Sequence, residues 1–296
     1  MILIADSGST KTDWVLVNDN GQVLQQLTTE GINPFHQTDE AIEKSLAPLL
    51  GESSHTSELP ILSSELSLQL EGGGGRLFFY GSGCTPEQIP RIQALLMKKL
   101  KSISACDVYS DLLGAARAVC GRREGIACIL GTGANSCLYD GERIVQNTPA
   151  LGYILGDEGS GAVLGRRLLN ALYKGRLPQH LREAFEQETS LTMSDVIERV
   201  YRQPLANRFL ASLSPFVARH LDEPALRNMV IDHFREFLRH NVAPYNAPQL
   251  PVGFVGSMAF HYQAELREAA HQEGFIMGDV MKSPIDGLLR YHLSNT

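Results

Sequence analysis

One loop pattern occurs twice in this chain, and that repeat narrows the folds open to it. The first copy, ILIADSGSTKTDWVLVNDNGQVLQQLT from Ile2, reads as strand, small-residue loop, strand, turn, strand; from Gly125 the rhythm returns in GIACILGTGANSCLYDGERIV. In each copy an apolar, β-rich run (Ile2 to Ala5; Ile126 to Leu130) ends in a loop centred on a glycine (Gly8; Gly133). A second apolar strand, a turn (Asn18 to Gly21; Asp140-Gly141) and a third strand follow. Two unrelated hairpins would use the same turn residues, but these loops agree in position as well as composition. The pattern predicts two related domains whose small loops clamp one polyphosphate.

A chain of 296 residues is long enough for one large domain or two ordinary ones. Its 43% hydrophobic and 20% charged residues are those of a globular protein with a sizeable core. The net charge of −7 argues against nucleic acid or an anionic membrane as the main partner. A phosphate ligand stays open, because backbone N–H groups bind phosphate without a basic surface. Five cysteines (Cys84, Cys106, Cys120, Cys128, Cys137), with no C-x-x-C pair, favour reduced, buried thiols over disulfides, zinc or an iron–sulfur cluster. The amino terminus reaches Asp6 too soon for a signal peptide or anchor, and no segment has the length of a bilayer span, so a cytoplasmic location is expected.

Periodicity predicts helices at Glu40–Leu50, Pro90–Lys101, Leu112–Cys120, Ala162–Tyr173, Leu181–Phe185, Met193–Tyr201, Asn207–Leu221, Ala225–Asn241 and Ala259–Glu273, with a last one at Pro284–Leu293. Further strands are expected at Leu77–Tyr80, Asp107–Ser110 and Pro251–Val255, while Leu66, Leu68 and Leu70 alternate weakly between a polar loop and the Gly72–Gly75 tract. Sheets with helices in each half give an α/β class with two lobes. The expected division is 1–116, completed by the helix at 284–293, and 117–283, with a hinge near Arg117.

Four small-residue loops follow predicted strands, at 6–12, 81–84, 131–136 and 256–258, and ligands in open α/β sheets sit beyond the carboxyl ends of strands. Neither G-x-x-x-x-G-K-[ST] nor a strand-linked G-x-G-x-x-G is present, so phosphate would be held by hairpin amides plus Ser9, Thr10, Thr12 and Thr132. Asp6, ending the first strand, suits Mg²⁺, which needs only one or two protein carboxylates, or else is an Asx-turn residue. Lys11 could neutralise phosphate or face solvent. Asp111, between strand and helix, is either an N-cap or a base that takes the proton of an attacking hydroxyl. In GYILGDEGSG (152–161), Asp157 could accept bonds from substrate hydroxyls, while Glu158 caps the following helix or braces a loop. No histidine pair has metal spacing, and Trp14 is expected in the core.

Seven segments in order carry a resemblance that spans essentially the whole chain: ADSGSTKTDW (5–14), GINPF (31–35), YGSGC (80–84), SDLLGAARA (110–118), LGTGANSC (130–137), GYILGDEGSGAVLG (152–165) and FVGSMA (254–259). The chain resembles the sugar-kinase/Hsp70/actin superfamily, and within it the N-acetylglucosamine-kinase-like branch of the BadF/BadG/BcrA/BcrD ATPases. The resemblance implies two ribonuclease H-like (actin-like ATPase) domains, each a mixed sheet with flanking helices, around an interdomain cleft. It implies ATP and Mg²⁺ as cofactors, with Ser7, Gly8, Ser9, Thr10, Lys11 and Thr12 as the first phosphate loop, Gly131, Thr132, Gly133 and Ala134 as the second, and Asp6 toward the metal. Gly256 and Ser257 correspond to the adenosine side. Asn33, Ser82, Gly83, Asn135, Ser136 and Asp157 correspond to sugar contacts, and Asp111 to the catalytic base.

The expected activity is transfer of the ATP γ-phosphate to an amino-sugar hydroxyl, N-acetylglucosamine first, with lobe closure excluding water. The alternative is a BadF-type ATPase that activates or regulates a protein partner. The cysteines lack the cluster-holding motifs of the redox activators, which argues against that branch. A homodimer is expected from the resemblance alone.

Overall fold

The computed structural model describes residues 1–50 and 74–294. The described chain divides into two compact units, Met1–Gly121 joined by the C-terminal segment from Pro284, and Arg122–Ser283. Each unit is built on a five-stranded mixed sheet.

In the first unit β1 (Ile2–Ser7), β2 (Lys11–Val17) and β3 (Val23–Glu30) form an antiparallel meander; β4 (Gly75–Gly81) and β5 (Ile103–Ser110) add in parallel on the other side of β1, giving the order β3-β2-β1-β4-β5. The central strands read as near-continuous apolar runs because both faces are covered: Leu3, Ile4, Ala5, Trp14, Leu16, Leu77 and Phe79 are fully buried. Helices α1 (Asp39–Leu46), capped by Thr38, and α2 (Ile89–Lys99) contribute Ile42, Leu46, Ile92 and Leu96 to one core. Helix α3 (Asp111–Cys120) follows β5.

In the second unit β6 (Gly125–Leu130), β7 (Ala134–Tyr139) and β8 (Ile144–Thr148) repeat the meander, and β9 (Pro251–Val255) and β10 (Ile276–Met281) repeat the parallel addition, in the order β10-β9-β6-β7-β8. Between β8 and β9 lie the one-turn α4 (Gly152–Leu155) and helices α5 (Gly161–Tyr173), α6 (Gln179–Thr189), α7 (Met193–Tyr201), α8 (Ala206–Ala211), α9 (Ser214–Arg219) and α10 (Pro224–Phe237), the last running into a π-helical turn at Leu238–Val242. Helices α11 (Ser257–His261) and α12 (Gln263–Gln272) separate β9 from β10. Helix α13 (Ile285–Leu293) packs on α3, where a β-carbon at Gly287 would lie 2.6 Å from Ala118.

The structure corrects several boundaries. Residues 207–221 form two helices broken before Pro215, and 259–273 two helices broken at Tyr262. The strand expected at Asp107–Ser110 starts at Ile103, and the edge strand β10 was not anticipated. The weak alternation at Leu66–Leu70 lies outside the described residues. Among the described residues, no helix is long and apolar enough to cross a membrane. All five cysteines are buried.

Candidate active site

In the first unit the β1–β2 loop is held from behind. Ser7 and Thr12 face each other across the ladder, fully buried, with hydroxyl oxygens 2.7 Å apart. Ser7 Oγ accepts from Ile32 N–H at 2.9 Å, and the Thr12 hydroxyl donates to Glu30 O at 3.1 Å. Gly8 N–H closes the loop on Lys11 O at 3.0 Å. Gly31 lies against the loop so tightly that a β-carbon would come 2.3 Å from Gly8 O. The hydroxyls of Ser7 and Thr12, expected to contact a nucleotide, therefore serve as struts, and Ser9 and Thr10 carry the exposed face. Lys11 Nζ sits 2.5 Å from Asp13, an exposed pair of small energetic weight.

Asp6 lies within β1, opposite Asp13, rather than in an Asx turn. Its carboxyl is pushed up to about 7 by burial first, then by the negative charges of Asp111 and Asp13, with Lys11 opposing. Among the described residues no three His, Cys, Asp or Glu side chains form a metal cage. One or two under-neutralised carboxylates fit Mg²⁺, which keeps waters and takes ligand phosphate oxygens; Asp6 is the residue that could hold it.

Parallel pairing sets Gly81 beside Ser110, so Ser82 and Asp111 emerge together at the carboxyl ends of β4 and β5. Ser82 N–H donates to Ser7 O at 2.8 Å, stitching this loop to β1. Helix α3 is capped by Ser110, whose Oγ accepts from Leu113 N–H at 3.2 Å; Asp111 is the first helical residue and not the cap. Burial raises the Asp111 carboxyl, while the Leu112 amide, 2.8 Å from Oδ1, and the Ser82 hydroxyl act against that rise. Gly83, at φ 76°, abuts Asn33: a β-carbon there would lie 2.3 Å from Asn33 Oδ1. Asn33 is fixed by its N–H to Gln37 Oε1 (2.7 Å), and Gln37 in turn donates to Gly31 O (3.0 Å). Asp6, Asn33, Ser82, Gly83 and Asp111 thus share one end of this sheet.

In the second unit the β6–β7 loop is held by backbone. Gly131 N–H closes it on Gly133 O at 2.9 Å, and the first amides of α5 bond its carbonyls: Gly161 N–H to Gly131 O (2.8 Å) and Ala162 N–H to Thr132 O (3.2 Å). Asp157, left-handed at φ 54°, lays its carboxylate over the loop, where it accepts from Ala134 N–H and would lie 3.1 Å from a β-carbon at Gly133. Burial, and secondarily Glu158, push the Asp157 carboxyl up to about 6 against the effect of the Ala134 amide. Gly256, at φ 122°, must be glycine because a β-carbon would strike Leu130 O at 2.3 Å; exposed Ser257 follows it.

Asn135 is half-buried, its Oδ1 accepting from Asn147 Nδ2 at 2.9 Å. Ser136, its neighbour, points to the opposite face of β7 and is fully buried, with Oγ donating to Asn241 O (3.0 Å) and lying 2.7 Å from Tyr245 Oη. The expected sugar contact at Ser136 is thus turned inward. Ser160, not Glu158, caps α5. Glu158 braces the π-helical turn, accepting from Asn241 Nδ2 at 3.3 Å, with His240 Nδ1 at 3.4 Å. Gly31, Gln37, Asn241 and Tyr245 were given no role from sequence; only the glycine directly after β3 offered a signal.

No protein-family model matches the chain, and no curated protein matches it. Among solved structures, a candidate N-acetylglucosamine kinase from Porphyromonas gingivalis is 47% identical over 100% of this chain and 99% of that one, with a TM-score of 0.91. A second, from Chromobacterium violaceum, is 17% identical over 98% of both chains at a TM-score of 0.61. The ethanolamine utilization protein EutJ from Carboxydothermus hydrogenoformans is 13% identical over 98% of this chain and 88% of that one at 0.52. The last two share the fold alone. Both sheets are those of ribonuclease H-like, actin-like ATPase domains, and the chain belongs to the N-acetylglucosamine-kinase-like family.

Proposed function

We propose that the protein is an ATP-dependent sugar kinase that phosphorylates an amino-sugar hydroxyl, with N-acetylglucosamine as the first candidate. The observation that carries this reading is Asp111: a half-buried carboxylate relieved of capping by Ser110, oriented by the Ser82 hydroxyl and the Leu112 amide, at the sheet end where Gly83 abuts Asn33. Burial makes it more basic, which favours proton transfer as long as it stays ionised. The name carried by the Porphyromonas gingivalis relative supports the substrate class.

The sugar hydroxyl gives its proton to Asp111 as its oxygen attacks the γ-phosphorus, and ADP departs as the bond to its β-phosphate oxygen breaks. Asn33, Ser82, Gly83, Asn135 and Asp157 bind and orient the sugar. The loop amides with Ser9, Thr10 and Thr132 hold the phosphates, Ser7 and Thr12 keep the first loop in shape, and Gly256 and Ser257 border the adenosine. Mg²⁺, held through Asp6, would offset charge on the transferred group. The proposed use of ATP fits a reaction in the cytoplasm. A panel of amino sugars and hexoses with MgATP, with KM for each and the product identified by mass spectrometry, tests the reading. The lowest KM is expected for an N-acetylated hexosamine; turnover of none of the sugars would refute it.

A further inference from the structure

Helix α10 and its π-helical extension lie along the turn that carries Asp157. Three side chains make the contact in reverse chain order. His233 Nε2 lies 3.0 Å from Ser160 O, Phe237 meets Gly159 where a β-carbon would come within 3.0 Å of its ring, and Asn241 Nδ2 donates to Glu158 Oε2 at 3.3 Å. The spacing of four would drift off one face of an α-helix, since each such step overshoots a full turn by about 40°. The wider turn at Leu238–Val242, closed by Ala243 N–H on Leu238 O, takes up that drift and returns Asn241 to the line of His233 and Phe237.

The same segment is tied to the strand leaving the glycine loop. The Ser136 hydroxyl donates to Asn241 O, so Tyr245 Oη must donate to Ser136 Oγ, while it accepts from Thr148 N–H at 3.0 Å. Ser136, Asn241 and Tyr245 are all buried, and burial holds the Tyr245 phenol in its protonated, donating form. Ser136 is paired with Thr148 across β7 and β8 and is flanked by Asn135.

We infer that Asn241 and Tyr245 are positioning residues: through the π-helical turn they lock the Asp157–Ser160 turn to the β7–β8 pair and so set Asp157 over the second glycine loop for sugar binding. The inference rests on the sugar-kinase reading for Asp157 but concerns groups that touch no substrate. Tyr245→Phe removes one hydroxyl from the chain of bonds. Tyr173→Phe is the control, because the Tyr173 hydroxyl is buried with no hydrogen-bond partner among the described residues. In Tyr245→Phe the sugar KM is expected to rise about tenfold, with the nucleotide KM changed less than about twofold, as fits one buried hydrogen bond lost on the sugar side. Amide exchange in 156–161 should rise in the same variant, and Tyr173→Phe should change neither quantity. Asn241→Asp, which turns the donor to Glu158 into a repelling acceptor, should raise the sugar KM further, and Asn241→Gln should recover part of the loss. Wild-type exchange in 156–161, or an unchanged sugar KM alongside raised exchange, overturns the inference. If the wild-type protein phosphorylates no sugar, the kinase reading falls, and the exchange comparison alone decides whether Tyr245 sets the turn.

Discussion

The two hairpin loops occupy the same place in two sheets of one topology, yet they are held by different means. In the first, Ser7 pairs with Thr12 across the ladder and four residues lie between them; in the second, Leu130 pairs with Ala134 and three do. The glycine that closes the loop through its N–H is Gly8 in one and Gly131 in the other. Gly131, not Gly133, is therefore the structural counterpart of Gly8; Gly133 is small to admit the Asp157 carboxylate. The first loop rests on two buried hydroxyls and a tightly packed glycine, the second on the leading amides of α5. The parallel strands differ as well. Beyond β5 stands Asp111 at the start of a helix, whereas beyond β10 the matching helix opens with Ile285. One topology, used twice, provides a candidate base in the first unit and a candidate acceptor for hydroxyls, Asp157, in the second.

The largest expected effect breaks this asymmetry: Asp111→Asn should lower kcat by about 10²–10⁴-fold with nucleotide affinity retained, measured by coupled ADP release and calorimetry. Next, Gly31→Ala should cost about 1–3 kcal/mol of stability in denaturant unfolding, because backbone and not a flexible side chain stands in the way. Asp6→Asn should stabilise the ligand-free protein by on the order of 1–2 kcal/mol at pH 8. The sign follows from a folded-state carboxyl held near 7 against an ordinary 3.8. As pH rises between about 4 and 7 the unfolded chain loses this proton while the fold keeps it, so that contribution to stability falls across the window and levels off above it. Thermal melts of both proteins from pH 4 to about pH 8 check this. Smallest of all, Gly8→Ala and Gly131→Ala should each change stability by less than about 0.5 kcal/mol, since a β-carbon at Gly8 meets nothing nearer than 3.8 Å and one at Gly131 meets nothing within 4 Å.

The meanders were legible because their strands combine apolar runs with turn residues, and the swap of strand for helix periodicity was plain at Ala162 and Ala225. Edge strand β10 was not: IMGDVM contains Gly278 and Asp279, poor strand formers, and none of its residues is fully buried. Ile103–Cys106 was missed because Ser104 and Ala105 interrupt any apolar alternation. At the site, residue type named Asp6, Asp111 and Asp157, but composition cannot tell which way a small hydroxyl points. Strand parity could have set Ser136 opposite Asn135 once the end of β7 was known. The roles of Asn241 and Tyr245 depend on contacts across long sequence separations, which no local pattern encodes.

The most direct measurement is the stoichiometry of wild-type turnover with MgATP and N-acetylglucosamine. One sugar phosphate formed for each ADP released, with ADP release close to background when sugar is withheld, is the expected result. ADP release at the same rate with and without any sugar would contradict the account.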